Sequence, residues 1–145
     1  MIIKSLEQLN FLSVEIAKKL SKSDSILLFG EIGVGKTTFT RNLINFFQEQ
    51  DNVQITDVLS PTFNLLYEYE FKDFKIMHYD LYRLKNSKEI QQIGIFEETK
   101  AVIKIIEWPE LIKNRIPNRI EINLSYAENE NERNFEMETF GKCRF

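Results

Sequence analysis

Ser25-Ile26-Leu27-Leu28-Phe29 runs straight into Gly30-Glu31-Ile32-Gly33-Val34-Gly35-Lys36-Thr37. The first five residues are the pattern of a strand buried on both faces. The next eight match G-x-x-x-x-G-K-[ST], a phosphate loop when it lies between a strand and a helix. That helix is legible downstream, from Lys36 to about Gln50, with Phe39, Leu43, Ile44 and Phe47 on one inner face. The glycines let the backbone curl so that successive N–H groups converge on an anion. The start of the helix adds free N–H groups and partial positive charge. Lys36 supplies a mobile cation for β- and γ-phosphates, and the Thr37 hydroxyl can ligate Mg²⁺. A nucleoside triphosphate is therefore expected across Gly30, Glu31, Ile32, Gly33, Val34, Gly35, Lys36, Thr37 and Thr38. An ordinary Gly-rich turn is the bland alternative.

ATP is the expected nucleotide. A GTPase of the usual kind offers D-x-x-G and [NT]-K-x-D, and the Thr99-Lys100 pair is followed by Ala101 and Val102 instead. Magnesium in such sites takes one or two carboxylates beside phosphate oxygens and water. Two acids stand where strands end. Glu107 closes the apolar run 101–106, and Asp80 closes 75–79. Glu107 reads as the magnesium ligand, with Thr37. Asp80 reads as the residue that orients the attacking water or holds the metal through one.

Around this centre the chain alternates strand and helix. Leu6, Leu9, Ser13, Ile16 and Leu20 recur at spacings of three and four, and Ser5 with Gln8 makes a capping box at the helix start. Strand signals fall at 65–71, 75–79 and 101–106, and short helices are expected over 87–93 and 110–114. Ile120, Ile122, Leu124 and Tyr126 alternate with polar residues, and a second alternation begins at Phe135 and Met137 after the polar stretch 127–134. The chain thus predicts a P-loop NTPase-type α/β sandwich, with a mixed central sheet and a C-terminal antiparallel hairpin.

With 145 residues, 43 % of them hydrophobic and 28 % charged, the expectation is one domain over 1–145 that buries about two thirds of its surface. A net charge of −3 gives no footprint for holding nucleic acid unaided. A single cysteine, Cys143, forms no internal disulfide, so a reducing cytoplasmic compartment is expected. No signal-peptide h-region and no run of about 18 apolar residues appears, so no membrane partner is expected.

Five motifs occur in order: Gly-Glu-Ile-Gly-Val-Gly-Lys-Thr-Thr (30–38), Ser-Pro-Thr-Phe (60–63), His-Tyr-Asp-Leu-Tyr-Arg-Leu (78–84), Ile-Gly-Ile-Phe-Glu-Glu (93–98) and Glu-Trp-Pro-Glu (107–110). Together they resemble the bacterial TsaE (YjeE) family over about residues 5–126. The resemblance implies a small P-loop ATPase of tRNA threonylcarbamoyladenosine synthesis. It also implies work with the TsaB and TsaD proteins, whose complex transfers threonylcarbamoyl to the adenosine next to the anticodon. By the same resemblance Lys36 and Thr37 fall on phosphate and magnesium residues, Glu107 on a second magnesium ligand and Asp80 on an acid implicated in hydrolysis. Thr62 falls on a switch-like segment that approaches the γ-phosphate. The family often carries Gly-Arg in its last hairpin. This chain has Asn-Glu-Arg-Asn there, with Arg133 as the candidate near the nucleotide. Trp108 reads as core, or as a reporter and docking contact beside the metal carboxylate. His78 reads as a hydrogen-bonded strand residue more than a base.

Two rival functions remain at this stage. A small-molecule P-loop kinase needs an arginine-bearing lid, and the arginines at 41, 83, 115, 119, 133 and 144 are scattered. A nucleotide-dependent interaction module needs no turnover at all. Segments 57–66 and 80–98, with Phe63 and Tyr82, are the expected docking face, and tRNA is expected to be reached only through a protein complex.

Overall fold

The computed structural model describes residues 1–97 and 100–143. Glu98 of the 93–98 motif, Thr99 and Arg144 lie outside the described residues. In chain order the elements are β1 (Ile2–Ile3), α1 (Leu6–Lys19), β2 (Ser25–Phe29), α2 (Lys36–Gln50), β3 (Leu66–Glu70) and β4 (Lys75–Asp80). They continue with α3 (Ser87–Gln92), β5 (Val102–Glu107), β6 (Arg119–Tyr126) and β7 (Arg133–Phe140). Among the described residues the strands form one sheet in the order β1-β7-β6-β2-β5-β4-β3. Its centre, β6-β2-β5-β4, is parallel, and antiparallel pairs at both flanks make the sheet mixed. The α/β sandwich with a closing hairpin expected from the sequence is the fold observed.

Alternation along each central strand feeds two cores. Ile26 and Leu28 of β2, Ile76 of β4, Ile103 and Ile105 of β5 and Ile120 and Ile122 of β6 pack with Leu9, Ile16, Phe39, Leu43 and Ile44 from α1 and α2. Leu27, Tyr79 and Ile106 point the other way, against Ile90 of α3, Ile95 and Ile112. Strands buried on both faces need apolar residues at every position, which is why β2 reads as an unbroken run.

One local expectation is corrected, and one strand is added. The stretch 110–114 forms no α-helix; it makes turns with Ile112 N–H on Pro109 O and Arg115 N–H on Ile112 O, and a 3₁₀ turn over Lys113–Arg115. The reason lies in Pro117. This proline pushes Ile116 to extended geometry (ψ 97°), which ends any helix at that point and leaves only the 3₁₀ turn before it. Ile2 and Ile3, too short for periodicity to reveal, add a strand opposite Asn134 and Arg133.

Candidate active site

The loop after β2 owes its path to close approaches. Gly30 has φ +150°, and a Cβ there would lie 2.6 Å from Leu124 O and 2.7 Å from Val34 Cγ1, so β6 leaves room for glycine alone. Gly35, at φ +127°, is the N-cap of α2 and makes no side-chain cap bond. No acidic residue sits in the first turn of α2. The leading amides of α2 therefore face outward without a side-chain acceptor, the arrangement that binds an anion.

Lys36 opens that helix and is only 5 % exposed. Its Nζ donates to Gly30 O at 2.5 Å and lies 3.5 Å from the centre of the Trp108 ring. Burial lowers its pKa, and the charges of Glu107, Asp80 and Glu110 only partly offset that effect. A buried ammonium with a neutral carbonyl as its hydrogen-bond acceptor is matched to an incoming anion.

Asp80 and Glu107 end β4 and β5 in direct register. Both are 2 % exposed. They share a sheet face with His78, Ile76, Ile103 and Ile105, the face covered by α1 and α2. Their surroundings differ. Asp80 Oδ2 accepts from Ser60 Oγ at 2.7 Å and Thr62 Oγ1 at 3.0 Å, and Oδ1 accepts from the Tyr82 amide at 2.9 Å. Glu107 Oε2 meets His78 Nε2 at 2.6 Å, and Oε1 is 3.4 Å from Thr37 Oγ1. The last distance is long for a hydroxyl–carboxylate bond. It is near the spacing of roughly 3 Å that two adjacent oxygens take when each is about 2.1 Å from Mg²⁺. Thr37 and Glu107 fit a magnesium ion. Non-glycine residues with left-handed backbone flank the pair, Leu65 at φ +66° and Trp108 at φ +57°, each costing on the order of 1–3 kcal/mol. Strain of that kind gathers at functional sites.

A cavity of about 220 Å³ opens here, lined by Ile32, Gly33, Gly35, Lys36, Thr37, Thr38, Ser60, Thr62, Asp80, Glu107 and Trp108. The chain thus brings Lys36, Thr37, Thr62, Asp80 and Glu107 together around one cavity. The remaining loop residues, Gly30, Glu31 and Val34, do not line this cavity. Gly30 offers its carbonyl to Lys36, and Glu31 accepts from the Val34 amide at 3.2 Å. Val34 is buried in the core. Arg133 does not line the cavity. Its Nε donates to Val34 O at 3.0 Å and its Nη1 to Glu130 O and Glu132 O, with the guanidinium 4.4 Å from the Tyr126 ring centre. It braces the loop from the rear, helped by Tyr126 Oη donating to Ile32 O at 3.3 Å.

Two supports, Ser60 and Arg41, carry no sequence signal of their own, while His78 is the hydrogen-bonded strand residue expected, with its partner now identified. Ser60, just before Pro61, makes the shortest of the three bonds to Asp80. Arg41 donates to Val58 O through Nε and Nη2, tying the 57–66 segment to α2. His78 carries the Glu107 contact. The H-x-D alternation was the available signal, because residues two apart on a strand share a face. Among the described residues no arginine lines the cavity.

A strand, a glycine-bent loop, an uncapped helix and acids at neighbouring strand ends define a P-loop α/β protein of the nucleotide-binding type. The family model for "Threonylcarbamoyl adenosine biosynthesis protein TsaE" matches residues 3–135, and the chain belongs to that family. It is 41 % identical over 128 residues to the tRNA threonylcarbamoyladenosine biosynthesis protein TsaE of Rickettsia conorii, spanning 88 % of this chain and 71 % of that protein. Identity to the protein of the same name from Haemophilus influenzae is 34 % over 128 residues, 85 % of this chain and 76 % of that one. The crystal structure of YdiB from Bacillus subtilis has the same fold, with a TM-score of 0.71 at 23 % identity over 97 % of this chain and 84 % of that chain. No helix among the described residues is long and apolar enough to cross a membrane.

Proposed function

We propose that this chain binds and hydrolyses ATP as a component of tRNA threonylcarbamoyladenosine synthesis, acting with the TsaB and TsaD proteins. The observation that carries the reading is the cavity itself. An uncapped helix N-terminus and a buried lysine face two in-register carboxylates, in a chain of the TsaE family. The loop amides and Lys36 hold the phosphates. Thr37 and Glu107 are the residues that would hold Mg²⁺, which supplies charge neutralisation for the phosphate oxygens when bound. Asp80 is the acceptor for the attacking water. Two hydroxyls now occupy its Oδ2. When Thr62 turns to a γ-phosphate, Asp80 loses one donor and becomes a stronger proton acceptor. The 57–66 segment thereby senses the triphosphate.

The face around that segment is the docking surface for the protein partners. Phe63 is 82 % exposed with Arg83 against its ring, and Tyr82 is exposed and packs on Trp108. Residues that touch the γ-phosphate switch and also face solvent couple nucleotide state to assembly. Among the described residues no arginine lines the cavity, which gives the small-molecule kinase reading no support. The acidic balance supports contact with tRNA only through the complex, and the single cysteine supports the reducing cytosol as the compartment.

Co-purification with TsaB and TsaD, with and without ATP, tests the proposal. Nucleotide-dependent association is expected, and Arg83→Glu with Phe63→Ala should abolish it while the circular dichroism spectrum stays native. Tight tRNA binding by the isolated chain at physiological salt would contradict this account.

A further inference from the structure

His78 has no exposed surface, and its Nε2 lies 2.6 Å from Glu107 Oε2. Its other ring nitrogen, Nδ1, is buried with no hydrogen-bond partner. A carboxylate only accepts, so Nε2 carries the hydrogen, an assignment made from the bonding pattern, and Nε2 makes the ring's one hydrogen bond. The face around it is otherwise filled by Ile76, Ile103 and Ile105. An apolar residue would fill that place without leaving a polar atom unpaired. The imidazole must therefore be there for its one bond. Register explains how the bond forms: His78 pairs with Ile105, and Glu107 stands two residues further along β5 on the same face, within diagonal reach.

We infer that His78 is a positioning residue for Glu107. It engages Oε2 and so turns Oε1 toward Thr37, which leaves one carboxylate oxygen directed at the magnesium of the bound nucleotide. The inference rests on the ATP reading above. Ligating carboxylates are commonly held by such outer hydrogen bonds, and losing one typically lowers metal affinity about 10–100-fold. The alternative is that His78 only neutralises a buried carboxylate for the sake of folding.

Two substitutions separate these. The amide nitrogen of glutamine reaches about as far as Nε2 of histidine, whereas that of asparagine ends near the Nδ1 position. ATP binding is measured by calorimetry in excess Mg²⁺ and again in EDTA. His78→Gln should stay within about threefold of wild type in both. His78→Asn should lose roughly tenfold or more in Mg²⁺ and change less than about twofold in EDTA. Equal behaviour of the two variants, or an equal loss with and without metal, overturns the inference. A second readout needs no variant. The chain has one histidine, so ring ¹⁵N spectra of the untagged protein report it alone. They should show the Nε2–H form and move on adding Mg²⁺ to the ATP-bound protein in EDTA. An Nδ1–H form, or a ring indifferent to Mg²⁺, overturns it. A wild type that binds no ATP in either buffer breaks the underlying nucleotide reading instead.

Discussion

The helices α1 and α2 pack side by side on one face of the sheet, yet they begin in opposite ways. At α1, Ser5 Oγ accepts from the Gln8 amide at 3.1 Å, Gln8 Oε1 reaches back to the Lys4 amide at 2.7 Å, and Glu7 sits in the first turn. One leading amide, that of Gln8, is capped, the approach at Lys4 is tied down, and the helix dipole is met by a carboxylate. At α2 the cap is a glycine with positive φ, no side chain accepts from the first turn, and the first residue is a buried cation. By the rules that make α1 stable, α2 is badly begun. The same kind of orphan amide serves stability in one helix and remains available to a ligand in the other.

The largest test of that contrast is at the cation. Lys36→Met should lower ATP affinity by about 100-fold or more, since it removes charge from a desolvated phosphate site. It should also make the nucleotide-free protein more stable, because burial holds the Lys36 pKa below its ordinary value. The sign follows from linkage. Between its folded pKa and 10.5, lysine binds more protons in the unfolded chain, so wild-type stability rises with pH in that window and the advantage of Lys36→Met shrinks. Thermal melts at pH 7 and pH 10 check it; a variant less stable than wild type at pH 7 would show that Lys36 is paired after all.

Glu107→Ala comes next. It should weaken ATP binding roughly 10–100-fold in Mg²⁺ and little in EDTA, and cost about 1–3 kcal/mol of stability because buried His78 loses its acceptor. A variant that unfolds while its refolded fraction keeps full activity would make Glu107 structural and pass the metal to Asp80. Thr38→Glu sharpens the comparison by giving α2 the first-turn acid that α1 already has. The carboxylate should add about 0.3–1 kcal/mol of stability through the dipole and lower ATP affinity about tenfold by occupying the anion's place. A gain in one without loss in the other would separate the helix start from the binding site. The smallest effect belongs to α1. Ser5→Ala should cost about 1 kcal/mol in denaturant titration and leave ATP affinity unchanged.

How much of this was legible beforehand depended on range. The strand Ser25–Phe29, the loop and the helix Lys36–Gln50 are contiguous, and each is specified by its own residues: an apolar run, glycines whose φ is positive, and a 3.6-residue stripe. Asp80 and Glu107 were visible because strand ends are visible. The stretch 110–114 differs from expectation because its composition is helical while Pro117 holds Ile116 extended and stops the turn. Ile2–Ile3 escaped because two residues have no period, and only the partner strand β7 makes them a strand.

What the sequence determined by itself was what is set within a few residues: the long strands and helices, the anion-binding loop, the cap of α1 and the family to which the motifs point. Tertiary structure decided the pairings. The register that sets Asp80 beside Glu107, the hold of Ser60 and Thr62 on one and of His78 on the other, and the turning of Arg133 to the back of the loop all join residues 18 to 99 positions apart. No local propensity encodes such distances. They follow from which apolar faces must be buried together, and the polar contacts at the strand ends are fixed by where that packing leaves them.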